Sequence, residues 1–437
     1  MKYSEIYDDT SKRWLSVRRI SIFMRKHKNQ IFLVVIVLYL IFHVFTANFD
    51  IFNKQQIELQ VSKENSGLNF KTIGEDLSKK NSISIEHSTL RERMAYYFPY
   101  EPEKPIPRSV WQTWKCSEDD PDFPSGYTVP HQSWKLLNPK SDVFLISDDH
   151  VDSFISNTFA DIPEIVRTFE MLPKNILRAD FFRYLVIFAR GGTYSDLDTV
   201  CLKPIDSWAA FDPKYNDNGK NNKSEEKISK SDDDGHSMFT SVGLIMGIEA
   251  DPDRPDWADW YARRIQFCQW TIQGKTGHPL LRELIIRIVQ ETERKQNMGK
   301  LKTVEGKDKG GDIMQWTGPA IFTDTVLDYL NNVMSNGQSG DGYGIGSKYW
   351  LQNKKYKVTK PEMGENGEPL NSDRQEINWK TFTNMQQPLI IDDVMVLPIT
   401  SFSPGVGQMG SKSIKNPLAY VQHLFGGTWK PRDERMP

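Results

Sequence analysis

"NILRADFFRYLVIFARGGTYSDLDTV", Asn175 to Val200, combines three local patterns in one continuous stretch. The part up to Arg190 has helical length and a mostly apolar surface. The pair Gly191-Gly192 predicts the end of that helix, because glycine adopts the left-handed cap conformation at little cost. The residues TYSDLDTV that follow have the composition of a buried strand. We therefore predict a helix, a sharp turn and a strand.

Two further strands are predicted upstream, at Ser109–Trp114 and in DVFLISDD, Asp142 to Asp149. Helical patterns lie between these strands, and alternation of strands and helices indicates an α/β fold. Ligands of such sheets bind at the carboxyl ends of the strands.

Two carboxylates, Asp196 and Asp198, stand in the last predicted strand. Side chains alternate along a strand, so we expect both on one face, with Leu197 pointing into the core. Two converging oxygen ligands suit a hard divalent cation that keeps open positions for phosphate oxygens. The alternative is a carboxylate pair that backbone amides or an arginine satisfy.

Asp180 and Arg183 lie three residues apart in the predicted helix and share one of its faces. Both are unusual within such an apolar segment. Either they form an intrahelical ion pair, or they line a polar cavity in which a carboxylate and a guanidinium hold sugar hydroxyls.

The composition narrows the class of protein. The chain has 437 residues and a formal net charge of −2, so no basic field predicts nucleic-acid binding. Its hydrophobic content of 38% indicates long polar segments attached to an ordinary core. Cys116, Cys201 and Cys268 are too few for a disulfide scaffold and fit no zinc motif; one disulfide or none is expected.

One long apolar run, Ile31 to Ala47, has basic residues before it and none directly after it. This pattern predicts a single-pass type II membrane anchor, with the N-terminus cytosolic and the remainder lumenal. We divide the chain into a cytosolic tail (1–30), the anchor (31–47), a polar lumenal stem (48–95) and a catalytic domain (96–437). The polar segment that follows residue 215 contains the sequon Asn222-Lys223-Ser224, so Asn222 is a predicted glycosylation site.

The run LPKNILRADFFRYLVIFARGGTYSDLDTVCLKPI resembles the signature of glycosyltransferase family 32. The resemblance extends from PIPRSVWQTWK (Pro105–Lys115) to HLFGGTWK (His423–Lys430). It implies a GT-A type, nucleotide-sugar-binding, Rossmann-like domain with an Asp-x-Asp motif in the Golgi membrane. It also implies Mn²⁺ and a retaining transfer of mannose from GDP-mannose to a core N-linked glycan, through an α-1,6 linkage that starts the outer chain.

The same resemblance implies roles for individual residues. Asp196 and Asp198 would bridge ribose, metal and diphosphate, and Asp180 and Arg183 would contact the donor sugar. The remaining implied residues are Gln112 and Trp114 for the nucleotide and His423 as a further metal ligand. The alternative for His423 is an ordinary, partly buried histidine.

Several questions stay open at this point. Retention is compatible with front-face attack, or with double displacement through Asp180 as nucleophile. Asp392 and Asp393 either serve the acceptor or cap a strand, and His278 either begins a helix or lines the acceptor cleft. The chain could also be a non-catalytic or assisting subunit of a membrane mannosyltransferase complex that makes mannan. A lumenal lectin is a third reading, and a homo- or hetero-oligomer is possible.

Overall fold

The computed structural model describes residues 88–215, 237–238, 240–302, 312–336 and 377–427. The predicted anchor at 31–47 and the sequon at Asn222 lie outside these residues. In the described ranges, none of the helices has the length and apolar character needed to cross a membrane.

Helices and strands alternate along the first half of the described chain. The helices are α1 Leu90–Tyr97, α2 Ser125–Leu137, α3 Asp148–Thr158, α4 Pro163–Met171, α5 Asn175–Arg190, α6 Pro279–Asn297, α7 Asp312–Trp316, α8 Pro319–Asn336 and α9 Trp379–Phe382. The strands are β1 Ile106–Pro107, β2 Ser109–Trp114, β3 Asp142–Ser147, β4 Gly192–Ser195, β5 Thr199–Cys201, β6 Ser237–Met238, β7 Leu244–Ala250, β8 Gln266–Gly274, β9 Leu389–Ile391, β10 Val394–Leu397 and β11 Val421–His423.

The central sheet has seven strands in the order β3-β2-β4-β8-β7-β10-β9. Strand β2 is parallel to both β3 and β4, whereas β8 is antiparallel to β4 and to β7. The sheet is therefore mixed, and the predicted α/β class is confirmed. Two-stranded sheets, β1 with β6 and β5 with β11, lie beside it.

Both faces of the sheet are covered by apolar side chains. Alternate residues of β7 show this, since Leu244 and Met246 join one hydrophobic cluster and Ile245 joins the other. The first cluster contains most of the apolar residues of α5 and α6, and the second contains Trp134 and Trp208. Burial on both faces explains why β10 is continuously hydrophobic, and β7 nearly so, rather than alternating.

Helix α5 and its end agree with the prediction. Gly191 follows the helix with φ 66°, and its N–H donates to the carbonyl of Ile187. At Gly192, φ is 94° and an added Cβ would lie 2.4 Å from the backbone oxygen of Ser109. Glycine is required here because β4 must pass directly alongside β2.

The predicted strand over TYSDLDTV is wrong in its middle. Strand β4 ends at Ser195 and β5 begins at Thr199, so Asp196 to Asp198 form a turn between two strands. The alternation of side chains along a strand therefore does not determine where the two carboxylates point. Leu197 is nevertheless 3% exposed, as the prediction of a core side chain requires. The strand predicted to reach Asp149 is also shorter, because helix α3 begins at Asp148.

Helix α1 crosses the predicted boundary between stem and catalytic domain. Thr89 caps it through a reciprocal hydrogen-bonded pair with Glu92. Arg91 on this helix makes a salt bridge of 2.7 Å with Glu283 of α6. These contacts join α1 to the described part of the catalytic domain. Cys116, Cys201 and Cys268 are all free thiols, so none of them forms a disulfide in this structure.

Candidate active site

The turn from Asp196 to Asp198 is held on both sides by backbone and side-chain hydrogen bonds. The N–H of Asp196 donates to the carbonyl of Trp270 on β8, at 2.8 Å. The carbonyl of Asp196 accepts from Nε2 of Gln112 at 3.2 Å and from Oγ1 of Thr199 at 2.5 Å. The strands on either side therefore determine where both carboxylates point.

The C-terminal strand β11 brings His423 to this turn. It pairs antiparallel with β5, and His423 lies opposite Thr199. His423 Nε2 is 3.2 Å from Asp198 Oδ1, and the N–H of Gly426 donates to Asp198 Oδ2 at 2.9 Å. A histidine far away in the sequence thus becomes a direct neighbour of the Asp-x-Asp motif.

Aromatic rings fix the orientation of the imidazole. The ring of His423 is stacked on Trp270, with centroids 4.4 Å apart, and it meets the edge of Phe425 at 4.4 Å. Its Nδ1 is buried without a hydrogen-bond partner. The ring is therefore held by packing, with Nε2 directed at the carboxylate of Asp198.

Asp196, Asp198 and His423 together could hold a metal ion. Each offers one ligand atom, and these atoms lie within 4.8 Å of one another. Two carboxylate oxygens and one imidazole nitrogen form a mixed donor set that suits divalent cations such as Mn²⁺ or Zn²⁺. The residues present thus fit a divalent metal.

The charges around the turn also favour a cation. Burial raises the pKa of Asp196, and the neighbouring Asp198 raises it further against the opposing charge of Arg183. The pKa of Asp198 is lowered, because hydrogen bonds from His423 and Gly426 outweigh the effect of burial. A bound cation would relieve the repulsion between the two carboxylates.

Arg183 connects helix α5 to the turn. Its Nη2 lies 3.1 Å from Asp180 Oδ1 and 3.1 Å from Asp196 Oδ1. Its guanidinium carbon lies 5.3 Å from the centre of the Tyr194 ring, and the Tyr194 hydroxyl donates to Asp196 Oδ1 at 2.8 Å. The intrahelical ion pair therefore exists, and it also extends to the Asp-x-Asp motif.

Asp180 lies behind this arginine and is bound entirely by protein groups. Its side chain is 3% exposed. Oδ1 accepts from Nε2 of Gln269 at 3.3 Å, and Oδ2 accepts from Oγ1 of Thr317 at 3.1 Å. Burial raises the pKa of Asp180 to about 6, although Arg183 opposes the rise. Such surroundings are those of a carboxylate that positions Arg183.

The two residues predicted to hold the nucleotide lie in different surroundings. Gln112 is fully buried, and its Oε1 lies 2.5 Å from Nδ1 of His131. As placed, its amide supports the Asp196 turn. Trp114, at the end of β2, is partly exposed and packs edge-to-face on Tyr127, with centroids 4.9 Å apart. A Cβ added at Gly426 would lie 2.8 Å from the Tyr127 hydroxyl and 3.2 Å from Asp198 Oδ2, so the ring that Trp114 packs on borders the Asp198 carboxylate.

Comparison with known proteins agrees with this geometry. The family model described as "Glycosyltransferase sugar-binding region containing DXD motif" matches residues 128–214. The initiation-specific alpha-1,6-mannosyltransferase of Candida albicans is 45% identical over 383 residues, which are 88% of this chain and 85% of the relative. The chain belongs to this family of DXD-motif glycosyltransferases.

The chain is also similar to a second curated relative and, more distantly, to a solved structure. The initiation-specific alpha-1,6-mannosyltransferase of Saccharomyces cerevisiae is 39% identical over 82% of this chain and 86% of the relative. The alignment with the PaToxG glycosyltransferase structure covers 62% of this chain and 83% of that chain, at 15% identity and a TM-score of 0.32.

Sequence reasoning missed several groups in the site of this glycosyltransferase. Gln269 supports Asp180, Trp270 supports His423, and Tyr194 supports Asp196. A signal for one of them was available: Gln269 is an amide side chain within the mostly apolar run FCQWTI. In a strand buried on both faces, such a side chain must find a polar partner.

The undecided residues have structural roles in the glycosyltransferase. His278 caps α6 by accepting from the N–H of Leu280 at 3.2 Å. Asp392, with φ 56°, and Asp393 form the turn between β9 and β10. Asp393 also contacts Tyr100 and His278 in a buried polar cluster. These contacts favour the reading of His278 as the start of a helix.

Proposed function

We propose that this protein transfers mannose from GDP-mannose to the core of an N-linked glycan through an α-1,6 linkage, and so starts the outer chain of mannan. The names of the relatives support an α-1,6-mannosyl transfer that initiates a chain. The observation that carries the proposal is the meeting of Asp196, Asp198 and His423 within 4.8 Å of one another, with Arg183 bound to Asp196.

The fold of the proposed enzyme is of GT-A type, and its cation is Mn²⁺. Asp196, Asp198 and His423 would hold the ion. When bound, such an ion neutralises the charge that develops on the departing diphosphate. The parallel strands β2 and β4 end at the cluster, which is where α/β sheets bind nucleotides.

Arg183 is the residue that we assign to the donor sugar. Its Nη2 serves Asp180 and Asp196, whereas its Nε is buried without a partner in the described structure. The 4% of the side chain that is exposed, together with the Asp196 carboxylate that Arg183 orients, would face the donor.

Asp180 acts on the reaction through Arg183 in this proposal. Both of its oxygens are bound by protein groups and its side chain is 3% exposed. A nucleophile for double displacement would have to face the anomeric carbon. The contacts of Asp180 therefore favour front-face attack, in which retention needs no enzymic nucleophile.

We place the catalytic domain in the Golgi lumen, attached to the membrane through Ile31 to Ala47. The support is the apolar length of that run and the basic residues before it.

The test uses the full-length protein in detergent with GDP-mannose, Mn²⁺ and a high-mannose N-glycan. Mass spectrometry is expected to show the addition of one hexose, and an α-1,6-specific mannosidase is expected to remove it. A product that the α-1,6-specific mannosidase leaves intact would overturn the proposed linkage specificity. A folded protein that binds GDP but transfers nothing would support an assisting subunit instead.

A further inference from the structure

Strand β8 has a bulge at the candidate active site. Two steps along β7, from Met246 to Ile248, correspond to five along β8, from Ile272 to Phe267. The extra residues include Gln269 and Trp270, which turn towards Asp180 and His423. Bulges commonly re-aim side chains beside active sites. The bulge therefore separates the first residues of β8, Gln266 and Phe267, from the residues that support Asp180 and His423.

One carboxylate on β7, Glu249, makes no hydrogen bond or salt bridge with Asp180, Arg183 or the Asp196 turn described above, and it lies opposite the first residues of β8. Glu249 of β7 is partly buried, and Gln266 Nε2 donates to its Oε2 at 3.0 Å. Within the described residues, no lysine or arginine forms a salt bridge with it. Burial raises its pKa, while Gln266, His423 and Arg183 oppose the rise. Glu249 lies beside the irregular part of β8, which also carries Trp270, the residue stacked on His423.

The loop between β7 and β8 is firmly anchored next to Glu249. Asp251 at its start is 1% exposed and binds Arg264 at 2.9 Å. Gln408 joins the two sides, because its Oε1 accepts from the N–H of Asp251 at 2.6 Å and its Nε2 donates to the hydroxyl of Tyr261 at 2.8 Å. Through Gln408, the phenol of Tyr261 is therefore tied to the backbone of Asp251, two residues after Glu249.

The same loop presents a large aromatic ring to solvent. Trp260 is 61% exposed. The guanidinium of Arg254 lies 4.8 Å from the centre of its ring, and Arg254 is itself bound through two nitrogens to Asp256, at 2.6 and 2.5 Å. An exposed indole supported in this way is a preorganised binding surface, because little side-chain entropy remains to be lost.

We propose that Glu249, Tyr261 and Trp260 form the binding subsite for the mannose-containing acceptor glycan. The indole of Trp260 stacks on the apolar C–H face of a mannose ring. Tyr261 and Glu249 bind hydroxyls, with Glu249 accepting from the sugar nearest the metal-ligand cluster. This inference rests on the proposed function. An aromatic platform followed by a carboxylate matches a sugar, which has one apolar face and a polar edge.

The experiment compares steady-state constants of the full-length protein and its variants. For Trp260→Ala, the acceptor KM is expected to rise about tenfold, from the loss of one stacking contact. For Glu249→Gln, kcat/KM for the acceptor is expected to fall about 10- to 100-fold, through the loss of a charged hydrogen bond. The KM for GDP-mannose should change by less than about twofold in either variant. Tyr96→Ala, which removes another aromatic ring with 58% exposure, is the matched control and should change neither constant.

A binding measurement separates this inference from the proposed reaction. Binding of the glycan alone is followed by saturation-transfer NMR, without donor. Glycan binding that Trp260→Ala abolishes supports the subsite, even if no mannose is transferred. Parent-like acceptor constants and parent-like glycan binding in both variants would overturn it. Loss of binding to anionic lipid vesicles in Trp260→Ala, with unchanged glycan binding, would also overturn it and assign the ring to a membrane surface.

Discussion

Asp180→Asn separates the cost of a buried charge from the benefit of its partners. In the parent protein, burial raises the pKa of Asp180 from 3.8 to about 6. Between these values the folded protein keeps a proton that the unfolded chain has released. The stabilisation from that proton is fully present below about pH 4 and is lost as the pH rises through 6.

The size of the effect follows from the pKa difference. Each pKa unit corresponds to about 1.4 kcal/mol, so the shift is worth about 3 kcal/mol at most. Asparagine keeps the size of the side chain and does not titrate. The free energy of unfolding of Asp180→Asn, relative to the parent, should therefore increase by up to about 3 kcal/mol between pH 4 and pH 7.

Urea unfolding in EDTA, followed by tryptophan fluorescence, measures this difference at each pH. EDTA keeps metal from the site, so the titration of Asp180 is not confused with metal release. Asp161→Asn removes an exposed carboxylate and controls for the change in net charge. A difference between Asp180→Asn and the parent that stays constant with pH would refute the raised pKa.

Three further changes test the site and the fold. Asp198→Asn removes one charge from the metal-ligand cluster, so mannosyl transfer should fall by orders of magnitude with little recovery in added Mn²⁺; near-normal turnover in metal-depleted buffer would contradict a metal-dependent reaction. Arg183→Lys cannot serve Asp180 and Asp196 together, and the transfer rate should fall about 30- to 1,000-fold. An equal loss of GDP affinity and melting temperature would instead assign Arg183 a folding role. Gly192→Ala should cost more than about 2 kcal/mol in urea unfolding, because φ is 94° and the added Cβ meets Ser109; a parent-like midpoint would show that β2 and β4 separate easily.

Local patterns were sufficient for the helix and for the identity of the motif. The extent of α5, its end at Gly191 and the strand β2 follow from periodicity and from glycine chemistry, which depend on neighbours in the chain. The Asp-x-Asp motif could be recognised for the same reason. Its conformation could not, because the break between β4 and β5 is set by two hydrogen bonds to other strands: the N–H of Asp196 donates to the carbonyl of Trp270, and its carbonyl accepts from Gln112.

Only the tertiary structure decided which distant residues meet at the motif. The pairing of β11 with β5 brings His423 to Asp198, and the bulge in β8 aims Gln269 at Asp180. Glu249 reads in sequence as one polar residue at the end of an apolar strand. The sequence determined the chemistry that was available, since residue types and local spacing are written in it. Packing of the sheet determined which side chains share a site, because those contacts join parts of the chain that no local pattern connects.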